Sequence, residues 1–338
     1  MRLNIDLDRE GRQTGSISLA SSTNDSAYQQ IQIPIVAFRN GDGPRILLMA
    51  GNHGDEFEGQ IILTKLAREL ELHHVRGRLI LLPAINLPAA LAGTRTSPLD
   101  NGNLNRSFPG NPRGTPTERI ADLIEKKLIP NSDFLIDLHS GGSSLHYLPA
   151  PSVTDTEDET VRTRLLGILR AFGSPLGYVF SEPPTTDVGT IGSCRRAGIE
   201  RLGTELGGGG GVSPEAVALG EAGVLRVLTH LGALDPAAIA NLPPPSPMKI
   251  LRRPGPHTSY YVYAESAGVF EPFIELGARV SPGQPVGQIL TPEIPWREPF
   301  TVHSSVAGTL ICRRAQGLAR RGDGLMVFAE DHVEPTTN

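Results

Sequence analysis

Apolar residues recur along the chain with two different periods. Short runs rich in Ile, Leu and Val predict β-strands: IQIPIVAF (31–38), RILLMAG (45–51), RLILLPA (78–84), FLIDLH (134–139) and IERLGTEL (199–206). Helical spacing of apolar residues predicts helices in EGQIILTKLAREL (58–70), TERIADLIEKKLI (117–129), VRTRLLGILRAF (161–172) and PEAVALGEAGVLRVLTHL (214–231). This alternation indicates an α/β domain with a mostly parallel sheet flanked by helices.

The pattern changes near the segment NLPPPSPMKILRRPGPH (241–257), whose prolines favour extended chain over packed structure. We therefore predict a catalytic α/β domain over residues 1–245 and a smaller C-terminal all-β domain over residues 246–338. Its glycine spacing is similar to the barrel-sandwich pattern of biotinyl and lipoyl carrier domains, but no lysine stands at a hairpin tip to carry a cofactor. A β cap on the catalytic domain is the favoured interpretation.

Composition excludes several kinds of partner. The net charge is −5 and the basic residues are scattered, so nucleic acid is an unexpected ligand. No apolar run approaches the ~20 residues that a membrane-spanning helix needs, and the start MRLNIDLDREGRQTG lacks a signal-peptide pattern, so a cytoplasmic protein is expected. Cys194 and Cys312 lie far apart without CxxC spacing, so a metal would be held by histidine and carboxylate.

Three residues of these two types follow or end predicted strands. The run RILLMAG leads into His53 and Glu56, and FLIDLH ends at His139. Side chains at the carboxyl ends of parallel strands meet at one edge of the sheet. Catalytic zinc sites use three such protein ligands and leave one position for water. The sequence therefore predicts a Zn²⁺ site at His53, Glu56 and His139.

Two acidic residues near this site have open interpretations. Asp137 shares a strand face with His139, so it could orient that imidazole or be a buried structural acid. Glu205 ends another strand and is followed by five glycines, Gly207 to Gly211. The glycines leave the carboxylate unobstructed. They could let the backbone approach a ligand closely or form only a flexible loop, and they lack the lysine and hydroxyl of a phosphate loop.

A loop without regular spacing, GTRTSPLDNGNLNRSFPG (93–110), contains Arg95 and Arg106. A guanidinium presents a planar, permanently charged fork that can anchor a substrate carboxylate or polarise a carbonyl. For either arginine alone, a solvated surface position is the simpler interpretation.

Together these motifs resemble the zinc carboxypeptidase-like family of aspartoacylase and succinylglutamate desuccinylase, over about residues 45 to 235. The resemblance implies that GNHGDE supplies the ligands His53 and Glu56 and that the later D-x-H supplies His139. It implies further roles for five other residues: Glu205 as general base, Asn105 and Arg106 as binders of the substrate carboxylate, Arg95 as a stabiliser of the oxyanion, and Arg195, with Arg196 beside it, as another substrate-binding position.

The resemblance implies a Zn²⁺-dependent amidohydrolase that removes the acyl group from a small N-acyl amino acid. The versions GNHGDEFEG, GTRTSPLDNGNLNRSFPG and TELGGGGG are more similar to the bacterial branch acting on Nα-acetyl-2,4-diaminobutyrate than to mammalian aspartoacylase. A dicarboxylic N-acyl substrate, a peptide substrate as in true carboxypeptidases, and a binding module with a vestigial zinc site are the alternatives. The choice of another divalent metal and a homo-oligomeric state are left open.

Overall fold

The computed structural model describes residues 1–181, 187–254 and 258–333. Its strands are β1 (Arg2–Leu3), β2 (Gly11–Ala20), β3 (Gln30–Asn40), β4 (Arg45–Ala50), β5 (Gly77–Leu82), β6 (Phe134–Leu138), β7 (Leu145–Tyr147), β8 (Ala150–Thr154), β9 (Leu176–Phe180), β10 (Glu200–Glu205), β11 (Lys249–Arg253), β12 (Tyr261–Tyr263), β13 (Gly268–Pro272), β14 (Arg279–Val280), β15 (Pro285–Leu290), β16 (Phe300–His303), β17 (Gly308–Arg314), β18 (Leu318–Ala319) and β19 (Gly324–Asp331). Its α-helices are α1 (Phe57–Glu69), α2 (Leu87–Ala92), α3 (Leu104–Ser107), α4 (Pro116–Leu123), α5 (Glu159–Ala171), α6 (Gly189–Ala197) and α7 (Pro214–His230).

One large sheet runs through the molecule, with the order β3-β5-β4-β6-β10-β8-β9-β11 in its middle. Strands β5, β4, β6 and β10 are mutually parallel, as are β8, β9 and β11, and the two groups meet as an antiparallel pair at β10 and β8. The mixed α/β architecture with a mostly parallel central sheet is thus confirmed. Because β4, β6 and β10 are parallel, the residues that follow or end them lie at one edge of the sheet.

Both faces of β4, β5 and β6 are buried, which is why these strands appear in the sequence as nearly continuous apolar runs. Ile46 and Leu48 of β4 point into a core with α1, α5 and α7, whereas Leu47 and Met49 point into a core that α4 shares. Alternate side chains of β4 thereby pack against helices on opposite faces of the sheet. This packing holds the end of β4, and the turn that follows it, in place.

The predicted strands and helices occur, with two differences. After Leu123, the predicted helix over 117–129 continues as a π-helical turn (Ile124–Leu128) and a 3-10 turn (Ile129–Asn131). The proline-rich segment is only partly the extended linker that we expected, because Lys249–Arg253 forms β11 and pairs in parallel with β9. Those five residues contain no proline, so their amide groups can join the sheet.

The region beyond β11 is built from short antiparallel strands. Strands β16, β15, β13 and β18 form a separate four-stranded sheet, and its Phe270 and Ile289 share a core with Leu310 of β17 and Phe328 of β19. Strand β19 pairs with β11, and β17 pairs with β7, so two strand pairings join this region to the main sheet. Across the described residues, none of the helices has the length and apolar character required to cross a lipid bilayer.

We expect Leu48→Ala to destabilise the protein by about 2 to 5 kcal/mol, because the methyl groups it removes are completely buried between the sheet and its helices. Leu91→Ala is the matched control, since that leucine is 80% exposed on α2. Thermal melting of the metal-free variants gives the comparison. Equal melting temperatures for the two variants would contradict the packing described.

Candidate metal centre and active site

The turn between β4 and α1 carries the first two predicted ligands. Strand β4 ends at Ala50, α1 begins at Phe57, and both His53 and Glu56 are 3% exposed. The imidazole Nδ1 of His53 lies 2.6 Å from Oε1 of Glu56. Their side chains therefore face one another inside the protein, as the predicted site requires.

His139 follows β6 directly and reaches the same carboxylate from the neighbouring strand. Its Nδ1 lies 2.7 Å from Oε2 of Glu56, and ligand atoms of all three residues lie within 4.8 Å of one another. Glu71, His73 and His74 form a second group with metal-ligand spacing, but those residues are exposed or only partly buried. The buried group is the better candidate because its donors are already fixed by packing.

The opposite nitrogen of each imidazole is also held. Nε2 of His53 lies 3.2 Å from Oδ1 of Asn103, and Nε2 of His139 lies 3.0 Å from Oδ2 of Asp137. A partner on one ring nitrogen fixes the tautomer and leaves the other nitrogen free to act as a ligand. The contact of Asp137 with His139 favours the orienting role over that of an unrelated structural acid.

Electrostatics in this cluster favour a positive charge between the carboxylates. Burial alone would raise the pKa of Glu56, but the imidazoles of His139 and His53 outweigh it and lower that pKa to about 2. Burial would lower the pKa of His139, but Asp137 and Glu56 raise it to about 10. The buried carboxylates of Glu56 and Asp137 need compensating positive charge, which a proton on His139 or a bound cation can supply.

Glu205 lies at the end of β10 and lines the same cavity as the three ligand candidates. It is half-buried, and burial together with the negative charge of Glu56 raises the pKa of Glu205 to about 8. A bound cation would act in the opposite direction. The carboxylate is thus placed where it can exchange a proton with a group in the cavity.

The glycines after Glu205 form an ordered turn in close backbone contact with the loop after His139. The carbonyl oxygen of Gly207 accepts hydrogen bonds from the amides of Gly141 and Tyr147, at 3.0 and 2.9 Å. Gly208 has a φ of +118°, and a Cβ there would lie 2.4 Å from the carbonyl oxygen of Leu145. The close backbone contact seen here is with the loop after His139, and a close approach to a ligand stays a prediction.

The cavity has a volume of about 440 Å³, and the arginine-containing loop forms part of its wall. Arg95 Nη1 lies 3.4 Å from Oε1 of Glu56, so this guanidinium borders the ligand cluster. Asn105 and Arg106 also line the cavity. Both lie on α3, a short helix within the stretch that we expected to be irregular, so consecutive residues project from one turn.

Arg195, a predicted substrate-binding residue, does not line this cavity. It is exposed on α6 and borders a neighbouring cavity of about 660 Å³, while the start of α6 at Gly189 and Thr190 lines the candidate site. Five residues of helix carry Arg195 about 7.5 Å along the axis from Thr190, which explains the separation. Arg196 is exposed and pairs with Glu125 at 2.7 Å.

The sequence analysis missed three residues that line the cavity or contact the metal-ligand candidates. Asn103 contacts His53. Arg201 donates from Nη2 to Oδ2 of Asp137 at 3.0 Å. The guanidinium of Arg253 lies 4.8 Å from the ring centre of Phe180. Arg201 could have been found, because Arg201 and Glu205 alternate onto one face of β10. Arg253 could not have been found, because it lies on β11 and the surrounding prolines predicted an extended linker instead of a strand.

The donor set fits a zinc ion. It combines two imidazole nitrogens with one carboxylate, the composition found in catalytic zinc sites with an open position. In both histidines Nδ1 faces Glu56, and the other ring nitrogen, Nε2, has a hydrogen-bond partner in Asn103 or Asp137. Such partners orient the histidine ligands of metal sites. No cysteine lies in the lining, so a thiolate site is not offered among the residues described there.

Known proteins resemble the chain over most of its length. A model of the succinylglutamate desuccinylase/aspartoacylase catalytic domain matches residues 42–231. The N-alpha-acetyl-L-2,4-diaminobutyric acid deacetylase of Halomonas elongata is 37% identical over 326 residues, covering 96% of this chain and 94% of that protein. The product-bound ectoine utilization protein EutE (DoeB) of Ruegeria pomeroyi is 36% identical with a TM-score of 0.90, covering 97% of this chain and 98% of that one. A succinylglutamate desuccinylase/aspartoacylase structure from Rhodobacter sphaeroides has the same identity and TM-score, covering 98% and 99%.

We expect the purified protein to bind about one zinc ion per chain tightly, and His139→Ala to lose most of that zinc because it removes one of three ligands. His303→Ala is the control, since His303 is exposed on β16. Elemental analysis after dialysis measures the metal content. Full zinc occupancy in His139→Ala would remove this residue from the metal centre.

Proposed function

The chain belongs to the succinylglutamate desuccinylase/aspartoacylase family, and on that premise we propose that it is a zinc-dependent deacylase acting on Nα-acetyl-L-2,4-diaminobutyric acid. The observation that carries the reaction class is the buried group of His53, Glu56 and His139 in one cavity with Glu205. The choice of substrate is supported by the deacetylase of Halomonas elongata, which is similar over nearly the whole chain.

In this proposal His53, Glu56 and His139 hold the metal. A zinc ion supplies a Lewis acid that lowers the pKa of water and polarises a carbonyl oxygen. Glu205 accepts the proton of the attacking water at its carboxylate and returns it to the leaving nitrogen. Its position at the cavity wall, separate from the ligand carboxylate of Glu56, suits it to that exchange.

Three further residues act on the substrate. Arg95 borders Glu56 and donates to the carbonyl oxygen as negative charge develops there, an interaction worth roughly 2.7 to 4 kcal/mol of barrier in comparable sites. Asn105 and Arg106 bind the carboxylate of the amino acid and orient the amide bond. The three residues come from one loop and its short helix, so binding and carbonyl polarisation are set by the same segment.

A second candidate is a deacylase for an N-acylated dicarboxylic amino acid. Four guanidinium groups line the cavity, those of Arg95, Arg106, Arg201 and Arg253. Cations on several walls suit a substrate with two carboxylates better than one with a side-chain ammonium group. The four arginines therefore favour this alternative, whereas the likeness to the diaminobutyric acid deacetylase favours the first.

We also propose that residues 1–245 are the catalytic domain and that residues 246–338 form a barrel-sandwich-like β domain that covers it. The support is that Arg253, Tyr261, Ile311 and Val327 line the candidate site although they lie outside the family-model match. The C-terminal region would then limit the size of the substrate that can enter. This arrangement favours small N-acyl amino acids over extended peptides.

The experiment that tests the function is a comparison of kcat/KM for the zinc-loaded protein on four substrates. These are Nα-acetyl-L-2,4-diaminobutyrate, N-acetyl-L-aspartate, N-succinyl-L-glutamate and a peptide with a free C-terminus. We expect the first to be hydrolysed most efficiently. Preference for a dicarboxylic substrate selects the second candidate, and cleavage of the peptide alone rejects both.

We expect Glu205→Gln to lower kcat roughly 10²- to 10⁴-fold while zinc content and melting temperature stay close to wild type, because the amide fills similar space but cannot accept a proton. Glu215→Gln is the control, since Glu215 is exposed at the start of α7. Near-wild-type turnover in Glu205→Gln would exclude Glu205 from the proton exchange. A lower melting temperature with turnover retained would make it a structural acid.

We expect Arg106→Ala to raise KM far more than it lowers kcat, because a carboxylate anchor binds the ground state and the transition state alike. Arg113→Ala is the control, since Arg113 is exposed and does not line the cavity. Arg195→Ala should behave like the control, because Arg195 borders the neighbouring cavity. An effect on kcat alone would transfer to Arg106 the role proposed for Arg95.

A further inference from the structure

The first turn of α6 lies between the metal centre and the substrate-binding loop. Thr190, its second residue, is 1% exposed and lines the cavity. The Thr190 hydroxyl donates to Oδ2 of Asp137 at 2.6 Å, and its backbone amide donates to Oδ1 of Asn105 at 3.2 Å. One residue thus contacts both the partner of His139 and a residue assigned here to substrate binding.

The hydroxyl contact bears on His139 through Asp137. Oδ2 of Asp137 lies within 3.0 Å of His139 Nε2, Thr190 Oγ1 and Arg201 Nη2. An ionised carboxylate can only accept, so the hydroxyl donates to it and restricts its rotation. With Asp137 fixed, the Nε2 proton of His139 has one partner, and Nδ1 is directed at Glu56.

The amide contact bears on Asn105. Gly189, at the start of the same turn, has a φ of +69°, and a Cβ there would lie 2.5 Å from Oδ1 of Asn105. Only glycine lets the helix start approach the loop this closely. Because the oxygen of the Asn105 amide accepts from Thr190, its NH₂ group is the end available to an acceptor such as a carboxylate.

We propose that Thr190 is a positioning residue that fixes His139 for metal binding through its hydroxyl and Asn105 for substrate binding through its backbone amide. The inference rests on the proposed metal centre and substrate loop. The two actions use different groups of one residue, so a side-chain substitution separates them. Thr190→Val removes the hydroxyl, keeps the amide and conserves the shape of the side chain.

The test compares Thr190→Val, Thr190→Ser and the control Thr301→Val, since Thr301 is exposed on β16. For each variant, zinc affinity is measured by competition with a chelator, and KM and kcat are measured on Nα-acetyl-L-2,4-diaminobutyrate. We expect Thr190→Val to weaken zinc binding about 10- to 100-fold, with KM at saturating zinc close to wild type. Thr190→Ser keeps the hydroxyl and should restore affinity. Asn105→Ala should show the reverse pattern, a raised KM with unchanged zinc affinity.

A double-mutant cycle separates this role from a general loss of packing. In an Asp137→Asn background, Thr190→Val should cause little further loss of zinc affinity, because the hydroxyl acts through that carboxylate. Wild-type zinc affinity in Thr190→Val, equal losses in the Val and Ser variants, or additive losses with Asp137→Asn would each overturn the proposal. If Thr190→Val does not fold, Thr190→Ala provides the same comparison.

Zinc affinity is measured without a substrate, so this test is distinct from the test of function. A wild-type protein that binds zinc but hydrolyses none of the acyl amino acids would reject the proposed function, and the affinity of Thr190→Val would still decide the role of the hydroxyl. A wild-type protein that binds no zinc would overturn both.

Discussion

The carboxylate of Glu56 lies buried between two imidazoles, 2.6 Å from His53 and 2.7 Å from His139. A buried negative charge is costly unless positive charge and hydrogen bonds compensate it. This requirement explains why the surrounding residues are arranged in layers. The imidazoles compensate Glu56, Asn103 and Asp137 orient the imidazoles, and the start of α6 holds Asp137 in turn.

The sheet makes this arrangement possible, and the sequence predicted that part well. Strands β4 and β6 are buried on both faces, so their apolar runs are conspicuous and the polar residues that follow them stand out. His53, Glu56 and His139 were predicted together for this reason, whereas the role of Glu205 as general base came from the family resemblance. Their convergence in one cavity depends on the order and register of the parallel strands. The apolar pattern predicts that the strands are parallel, but it does not give their order or register.

The parts that the sequence did not predict depend on tertiary contacts. Helix α6 contains two glycines among its nine residues, so its pattern indicated no helix and no role for Thr190. Arg195 was assigned by resemblance because it precedes the strand that ends in Glu205, yet it borders the neighbouring cavity. Arg253 lies in β11, where nearby prolines suggested a linker. In each case the position of a helix or strand in the fold decides which side chains reach the cavity, and the local sequence does not give that position.

The central claim is that one zinc ion binds between His53, Glu56 and His139, beside Glu205. An anomalous difference map at the zinc edge from a crystal of the zinc-loaded protein tests it most directly. The account predicts the dominant peak about 2.0 to 2.2 Å from the facing nitrogens of both histidines and from a Glu56 oxygen. Zinc bound only elsewhere, for example at Glu71, His73 and His74, with the buried cluster held together by protons alone, would contradict it.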